Sequence, residues 1–306
     1  MIDEKTAAAL REIAGAGNVT ENEKMSAHTT FRIGGPADLF VRPATAEAAA
    51  EAIRYCRREG LAYEVIGNGS NLLVGDGGIR GVVIQLGRNF ASIEADAEQA
   101  VIRAQAGATL AAISQRAASM GLTGLEFASG IPGTLGGAVA MNAGAYGGEM
   151  KLVVSEATVL DRDGEVRTLP GMELQFGYRT SRVLTEGLIV LEVKLQLTPG
   201  NPVQIRETME DLKERRTSRQ PLDRPSAGST FKRPAGNFAG KLIQESGLMG
   251  YRVGDAMVSD KHAGFVVNMG QATAADVAQL ISNVQAKVYD RTGVKLEPEV
   301  RLVGEF

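Results

Sequence analysis

Hydrophobic residues recur at helical spacing in some segments and at strand spacing in others, which predicts a chain that mixes both elements. The clearest helix begins after Thr273, whose side chain can cap it, and ends at Gly293. Its apolar residues recur every three or four positions, so they share one face. Further helices are predicted at Glu4–Ile13, between Thr45 and Gly60, at Thr109–Met120, after Pro202 and at Ala239–Ser246.

Short apolar runs bounded by turn residues predict strands between these helices. The segment 28–43 begins with turn residues and enters a strand that stops at Pro43. The remaining strands are predicted at Tyr63–Ile66, Val82–Leu86, Val101–Ala106, Val153–Asp161, Glu165–Leu169, Leu188–Leu197 and Val258–Met269.

The segment 294–302 alternates apolar and charged residues, as a half-buried strand does. The residues predicted on one face are Val294, Leu296, Val300 and Leu302, and those on the other are Glu297, Glu299 and Arg301. The charged face is either exposed to solvent or part of the wall of a site.

A glycine-rich stretch runs from Ser129 to Gly148, and no Asp, Glu, Lys or Arg occurs from Phe127 to Gly148. Such backbone exposes many N–H groups and few side chains, which suits phosphate oxygens or the polar edge of a flat cofactor ring. A buried connection between a helix and a strand is the structural alternative. The spacing of the glycines leaves both interpretations open.

A second glycine-rich loop, Gly67–Asn71, directly follows a predicted strand. It is not a dinucleotide-binding fingerprint, because the third glycine position holds Leu72, and no Gly-Lys-Ser/Thr follows as in a P-loop. The loop is either a cradle for a pyrophosphate or a tight turn between strands.

A basic region follows the linker Pro199–Pro202 and the helix after it. Its cations are Lys213, Arg215, Arg216, Arg219, Arg224, Lys232 and Arg233. Cations at the end of a helix are favoured by the helix dipole and need no ligand. A substrate with a diphosphate is the functional alternative.

Composition narrows the class of protein. The 306 residues allow two or three domains, and the net charge of −3 argues against nucleic-acid binding. Cys56 is the single cysteine, so no intrachain disulfide forms. We find neither a signal peptide nor an apolar run of about 18 residues, and we expect a cytoplasmic protein without a membrane partner. Two histidines and one cysteine leave little for a metal site, so no metal is expected.

Taken together, six stretches resemble the UDP-N-acetylenolpyruvoylglucosamine reductases, which are flavoenzymes of peptidoglycan precursor synthesis. Each stretch alone is weak, but their joint order and spacing are highly specific. The stretches are Thr29–Gly35, Gly67–Asn71, Gly130–Gly137, Phe176–Ser181, Ser226–Lys232 and Leu296–Arg301.

The resemblance implies an α+β protein, with a two-part FAD-binding domain of the vanillyl-alcohol-oxidase type and a smaller α+β substrate-binding domain. The implied FAD-binding subdomains are residues 1–88 and 89–203, and the UDP-sugar domain is 204–298. The strand 299–306 is a candidate to return to the first subdomain. Little room remains between Arg179 and Pro199 for the lid insertion that carries a substrate tyrosine in one branch. The chain therefore resembles the shorter branch.

The resemblance also implies the activity: NADPH-dependent reduction of UDP-N-acetylglucosamine enolpyruvate to UDP-N-acetylmuramate. NADPH would reduce non-covalently bound FAD and leave, and the hydride would pass to the substrate methylene carbon. Arg179 would bind the substrate carboxylate, and a protonated Glu299 would donate to the enolate oxygen. Ser229 would protonate the carbanion carbon, and Lys232 could favour its alkoxide.

Further site residues follow from the same motifs. The predicted cofactor-binding residues are Gly67, Asn68, Gly69, Ser70, Asn71, Gly130, Gly133, Thr134, Gly136, Gly137, Asn142, Gly144 and Arg301. The predicted substrate-binding residues are Tyr178, Arg219, Lys232 and Arg233. For His28 and His262 we expect structural roles.

Two other functions are considered. One is a sugar or alcohol oxidase on the same fold, many of which attach flavin through His or Cys. The glycine-rich stretches contain neither residue, so any flavin should be released by denaturation. The other is a flavin- or UDP-sugar-binding module without catalysis, against which the joint presence of Arg179, Ser229 and Glu299 argues. A monomer is the favoured oligomeric state.

Overall fold

Helices and strands are interleaved along the chain in the computed structural model, which describes residues 2–306. These residues form eight α-helices, several of which begin at a capping side chain. The helices are α1 (Glu4–Ala14), α2 (Ala46–Arg58), α3 (Leu110–Ser119), α4 (Leu135–Ala140), α5 (Arg182–Thr185), α6 (Pro202–Arg219), α7 (Ala239–Glu245) and α8 (Ala274–Thr292).

Nineteen strands occur in the same residues. In the first half of the chain they are β1 (Val19–Lys24), β2 (Pro36–Val41), β3 (Tyr63–Ile66), β4 (Leu72–Val74), β5 (Ile79–Gln85), β6 (Ile93–Asp96), β7 (Val101–Gln105), β8 (Leu122–Thr123), β9 (Gly144–Ala145) and β10 (Gly148–Glu149). The later strands are β11 (Val154–Leu160), β12 (Val166–Pro170), β13 (Ile189–Gln196), β14 (Thr198–Pro199), β15 (Ser226–Ser229), β16 (Arg252–Val253), β17 (Ala256–Val258), β18 (Phe265–Asn268) and β19 (Arg301–Val303).

Three sheets of four or five strands organise these elements. The first has the order β1-β2-β5-β3, with β2 and β3 both parallel to β5. The second, β12-β11-β13-β7-β6, and the third, β15-β18-β17-β16, are antiparallel. A separate parallel pair joins β19 to β4, so the C-terminal segment returns to the first part of the chain.

Helix starts agree with the capping residues that the sequence predicted. The Thr45 side chain accepts a hydrogen bond from the N–H of Ala48 at the start of α2. Thr273 and Asp276 form a reciprocal capping box at the start of α8, and Gly293 ends that helix in the left-handed conformation. These local signals therefore set both ends of α8.

The hydrophobic core is divided into clusters that cross the predicted domain boundaries. The largest cluster includes α1, α2, α3 and strands of the first two sheets. A second cluster, built on α7, α8 and the third sheet, also buries Phe31 and Ile33 from the first 88 residues. The boundaries 1–88, 89–203 and 204–298 stay a prediction, and Met1 lies outside the described residues.

The single strand predicted at Val258–Met269 is wrong. Two strands, β17 and β18, flank a loop over residues 259–264. The hydroxyl of Ser259 accepts hydrogen bonds from the N–H groups of Lys261 and His262, which makes a tight turn. The loop carries His262 away from the sheet and towards the site described below.

The strand predicted over 294–302 is also much shorter, because β19 covers only Arg301–Val303. Pro298 lacks an N–H and cannot continue a ladder. Leu296 and Val300 are buried as predicted, but Leu302 is 48% exposed and Val303 is buried in its place. Glu299 therefore precedes the strand instead of lying within it.

No helix among residues 2–306 is long and apolar enough to cross a membrane. Residues 180–198 are taken up mainly by α5 and β13. This agrees with the prediction that little room remains between Arg179 and Pro199 for a lid insertion.

Candidate active site

Two cavities meet at the junction between the glycine-rich segments and the third sheet. The large cavity has a volume of about 630 Å³ and runs along the loop Gly67–Asn71, the segment 131–146 and the end of α6. The small cavity, about 380 Å³, is bounded by residues of β15, α7 and the segment that follows α7. Four residues line both cavities: Arg179, Ser229, His262 and Glu299.

The glycine-rich walls of the large cavity are in close contact with each other. A Cβ atom at Gly67 would lie 2.1 Å from Oγ1 of Thr134, so only glycine fits there. A Cβ at Gly133, in contrast, would make an ordinary contact of 3.6 Å with Oγ of Ser70. The loop 67–71 and the segment 132–137 thus form a narrow cradle lined mainly by backbone.

The charges in the large cavity come from the later part of the chain. None of the lining residues between Val65 and Tyr146 is charged, whereas Arg216, Arg219 and Arg301 line the same cavity. The guanidinium of Arg216 packs against Gly130, where a Cβ atom would lie 3.0 Å from Cδ of the arginine. Burial lowers the pKa of Arg216. Cations therefore face an uncharged backbone cradle.

Arg179 and Glu299 form an ion pair where the two cavities meet, with 2.6 Å between Nε and Oε1. Both side chains are largely buried, being 24% and 13% exposed. Arg179 has a left-handed backbone with φ of 54° inside a tight turn, a conformation that costs energy in a residue other than glycine. The turn directs its side chain towards Glu299.

The carboxyl of Glu299 is subject to two opposing influences. Burial disfavours its charged form and raises its pKa, while the charge and hydrogen bond of Arg179, and the charge of Lys232, act in the opposite direction. The net direction is upward. Loss of the arginine partner would raise the pKa of Glu299 further, so this carboxyl can gain a proton when Arg179 binds another anion.

Ser229 lies at the end of β15, opposite Phe265 of β18. The next residue, Thr230, accepts a hydrogen bond from the N–H of Glu299 at 2.8 Å. The hydroxyl of Ser229 is exposed at the wall of both cavities. The fold therefore brings the three predicted catalytic residues, from positions 179, 229 and 299, to one place.

The other predicted residues divide between the cavities. The large cavity is lined by Gly67, Asn68, Gly69, Ser70, Asn71, Gly133, Thr134, Gly136, Gly137, Gly144, Arg219 and Arg301. Tyr178 and Arg233 line the small cavity, where the N–H of Arg233 donates to the Tyr178 hydroxyl at 3.0 Å. The guanidinium of Arg233 also lies 4.0 Å from the ring centre of Phe238.

Three predicted residues are not among those that line either cavity. Gly130 faces the side chain of Arg216. Asn142 is buried, and its amide donates to Glu149 and to the carbonyl of Gly177, so its side chain holds the turn before Arg179. Lys232 forms an ion pair with Glu297, and its positive charge also acts to lower the pKa of Glu299.

His262 is the site residue for which the sequence predicted only a structural role. Its Nδ1 accepts a hydrogen bond from the N–H of Gly264 at 3.1 Å, so the neutral ring carries its proton on Nε2. Burial lowers the pKa of His262. Only the fold shows that the ring reaches both cavities. His28, in contrast, stacks on Phe40 and contacts Glu23.

Comparison with known proteins identifies the family. Residues 37–170 match the FAD binding domain family, and residues 220–303 match the UDP-N-acetylenolpyruvoylglucosamine reductase C-terminal domain. The UDP-N-acetylenolpyruvoylglucosamine reductase of Agathobacter rectalis is 53% identical over 94% of each chain. This chain belongs to the UDP-N-acetylenolpyruvoylglucosamine reductase family.

Two further reductases support that membership. The Clostridioides difficile enzyme is 48% identical over 97% of both chains. The crystal structure of the Thermus caldophilus reductase is 40% identical, covers 92% of this chain and 97% of its own, and superimposes with a TM-score of 0.79. The resemblance inferred from the six motifs is confirmed. So is the α+β organisation of an FAD-binding domain followed by a C-terminal domain, and the family is one of FAD-binding oxidoreductases.

The large cavity fits the FAD that the matched domain implies. Its volume lies within the range of ordinary cofactor sites. The cradle of backbone at residues 67–71 and 132–137 suits a pyrophosphate, whose negative charge the nearby arginines would offset. Apolar residues that suit a flat ring system line the same cavity, namely Leu86, Leu110, Ile131 and Val190.

Proposed function

We propose that this protein reduces the enolpyruvyl group of UDP-N-acetylglucosamine enolpyruvate to the lactyl ether of UDP-N-acetylmuramate, a step of peptidoglycan precursor synthesis. The names of the related reductases support the substrate. The observation that carries the proposal is the Arg179–Glu299 pair beside Ser229 at the junction of the two cavities. A site of this kind can receive a substrate from one side and a redox cofactor from the other.

We propose non-covalently held FAD in the large cavity and NADPH as the reductant. When bound, FAD supplies a hydride, taken from NADPH, to the methylene carbon of the enolpyruvyl group. The loop 67–71, the segment 132–137 and the guanidinium of Arg301 would hold the cofactor. Arg219 was predicted from the sequence to bind the substrate, but it lines the same cavity, and we propose that it contacts the cofactor instead. The small cavity would receive the sugar nucleotide, with Tyr178 and Arg233 at its wall.

The side chains would control the charge that follows hydride addition. Electron density moves to the adjacent carbon and its carboxylate, which Arg179 can bind through its planar guanidinium. Glu299, released from Arg179 and with its pKa raised by burial, would be protonated and donate a hydrogen bond to the enolate oxygen. Ser229 would give its hydroxyl proton to the carbanion carbon, which completes the addition of hydride and proton across the double bond.

The alternatives make different demands on the same site. An oxidase would have no use for a proton donor at Ser229. A binding module without catalysis would have no use for the buried Arg179–Glu299 pair, whose desolvation is costly. Action in the cytoplasm as a monomer stays a prediction from the sequence.

The test is anaerobic absorption spectroscopy of the purified protein. We expect a flavin spectrum that bleaches on addition of NADPH and returns on addition of the enolpyruvyl sugar nucleotide. The Ser229→Ala variant should still bleach but recover at least about 10²-fold more slowly, the scale of one general acid. A colourless protein that takes up no FAD, or a bleached protein that the sugar does not restore, would refute the proposed function.

A further inference from the structure

Asn71 connects the glycine-rich loop to the segment that carries Glu299 and Arg301. Its side-chain Nδ2 donates a hydrogen bond to the backbone carbonyl of Glu299 at 3.0 Å. Its own backbone carbonyl accepts one from the N–H of Arg301, also at 3.0 Å. The side-chain bond joins residues 228 positions apart, so it is a tertiary contact and not a local turn.

This contact extends a very short strand pairing. Strand β19 pairs with β4 over only three residues, with Arg301 opposite Leu72. Glu299 lies before that pairing begins and directly after Pro298, so the ladder between these strands does not reach it. Where the backbone pairing stops, the side-chain amide of Asn71 donates the next hydrogen bond, to the carbonyl of Glu299.

Glu299 is consequently held from three different parts of the chain. Its N–H donates to the carbonyl of Thr230 at 2.8 Å, and its carboxylate accepts from Nε of Arg179 at 2.6 Å. Asn71 binds its carbonyl. Thr230 directly follows Ser229. Through Glu299, these hydrogen bonds therefore connect the loop 67–71 to Arg179 and Ser229, the other two residues of the proposed reaction.

We propose that Asn71 is a positioning residue, whose side chain fixes Glu299 and does not bind the cofactor. The inference rests on the proposed function and revises the cofactor contact that the sequence predicted for this side chain. An asparagine has two N–H donors and one acceptor on its amide. Turning that amide towards a ligand would remove the partner of the Glu299 carbonyl, and displacement of a reacting group by about 1 Å can cost on the order of 10²-fold in rate.

Two variants test the proposal in the FAD-loaded protein. Asn71→Ala removes the donor, and Asn71→Asp keeps the shape but sets a carboxylate oxygen against the Glu299 carbonyl. We expect both to keep FAD affinity and the rate of bleaching by NADPH within about threefold of wild type. Recovery of the spectrum on adding the sugar nucleotide should slow by about 10-fold to 10²-fold, with the larger loss in Asn71→Asp.

The aspartate variant carries a signature that a general loss of stability would not give. When its new carboxyl is protonated, the O–H can again donate to the carbonyl of Glu299. The recovery rate of Asn71→Asp, divided by that of Asn71→Ala at the same pH, should therefore rise as the pH falls towards about 4. Division by the alanine variant removes the pH effects that the two variants share.

Asn268 provides a matched control. Its Nδ2 donates to the carbonyl of Phe31 at 3.1 Å, which also joins the later part of the chain to the first 88 residues, but it is not among the residues that line either cavity. Asn268→Asp should lower the melting temperature. It should change the rate of bleaching by NADPH and the rate of recovery with the sugar nucleotide by the same factor.

The outcomes distinguish this inference from the proposed function. Glu299→Gln is measured in parallel. If Glu299→Gln slows recovery and Asn71→Ala does not, the positioning role is overturned and the proposed function stands. If Asn71→Ala loses FAD and bleaching together with recovery, its side chain is a cofactor contact and the inference is also overturned. If Glu299→Gln recovers at the wild-type rate, both the role of Glu299 and this inference fail.

Discussion

At the scale of single residues, the site depends on a carboxyl whose charge is balanced between burial and two cations, chiefly Arg179. Glu299 has a raised pKa although Arg179 lies 2.6 Å from it, so desolvation outweighs the ion pair. An anionic substrate that takes over Arg179 would shift the balance further towards the neutral acid. The pair thus links binding of a carboxylate to protonation of Glu299.

This balance predicts a pH dependence of sugar reduction. Because the pKa of Glu299 is raised in the folded protein, the neutral acid persists above the ordinary range of about 4.3 and is lost as the pH rises through the raised value. The rate of spectral recovery should therefore fall on the alkaline side of that pKa. Glu299→Gln should lower the rate by about 10²-fold and remove this fall.

The measurement is single-turnover recovery from about pH 4 to about pH 9, a range that begins below the ordinary pKa of a glutamate, about 4.3. Glu297→Gln is the control, because this exposed carboxylate lies two positions away and pairs with Lys232. It should keep the wild-type profile. An unchanged alkaline fall in Glu299→Gln would assign the titration to another group.

At the scale of elements, the cofactor cradle depends on the contact between two loops. The loop 67–71 follows β3, and the segment 132–137 leads into α4. They approach so closely that a Cβ atom at Gly67 would overlap Oγ1 of Thr134. The width of the cradle is thus set by one glycine and one threonine.

Substitution of that glycine should widen the cradle. Gly67→Ala should weaken FAD binding by roughly 10-fold to 10²-fold, which corresponds to the usual overpacking cost of about 1–3 kcal/mol. Thr134→Ala removes the overlapping oxygen, so the double variant should bind FAD more tightly than Gly67→Ala alone. Fluorescence titration of the four apoproteins gives the coupling energy. Strictly additive losses would contradict the contact.

The same scale shows which elements the sequence could predict. Helix α8 was predictable because Thr273 and Gly293 act on their immediate neighbours. Strand β1 was not, because Val19–Lys24 is largely polar and lies at the edge of its sheet, where little apolar alternation is needed. The break between β17 and β18 was missed because Ser259 resembles a strand residue until its hydroxyl is seen to cap the turn.

Sequence motifs predicted part of the candidate site, as they predicted part of the secondary structure. Motifs identified Arg179, Ser229 and Glu299, which the fold brings together. They could not show that Lys232 pairs with Glu297, that Asn142 is buried or that His262 reaches both cavities. Those features depend on contacts between distant segments, which neither spacing nor composition records.

At the scale of the whole molecule, the large cavity is built from both halves of the chain. Its walls include the loop at 67–71, residues 188–190 at the start of β13, Arg216 of α6 and the segment 299–301. A ligand that fills this cavity would contact all of these segments at once. Its binding energy would then be shared by the FAD-binding part and the C-terminal part.

FAD should consequently stabilise the complete chain. A ligand at 100 times its Kd adds about 2.7 kcal/mol to the free energy of unfolding, so the melting temperature should rise with FAD concentration in a single transition. Hydrogen exchange should slow at residues 67–71 and also at 227–229 and 299–301. Protection confined to residues before 204 would mean that the C-terminal part does not complete the cofactor site.

The pairing of β19 with β4 also affects how the protein can be made. A ribosome delivers Leu72–Val74 long before Arg301–Val303, and until the latter emerge the loop at Asn71 lacks its partner. Contacts between such distant segments give a high contact order and slow folding. The proposed flavin cleft would therefore stay incomplete for most of the synthesis of the chain, and we expect FAD capture at the last stage of folding.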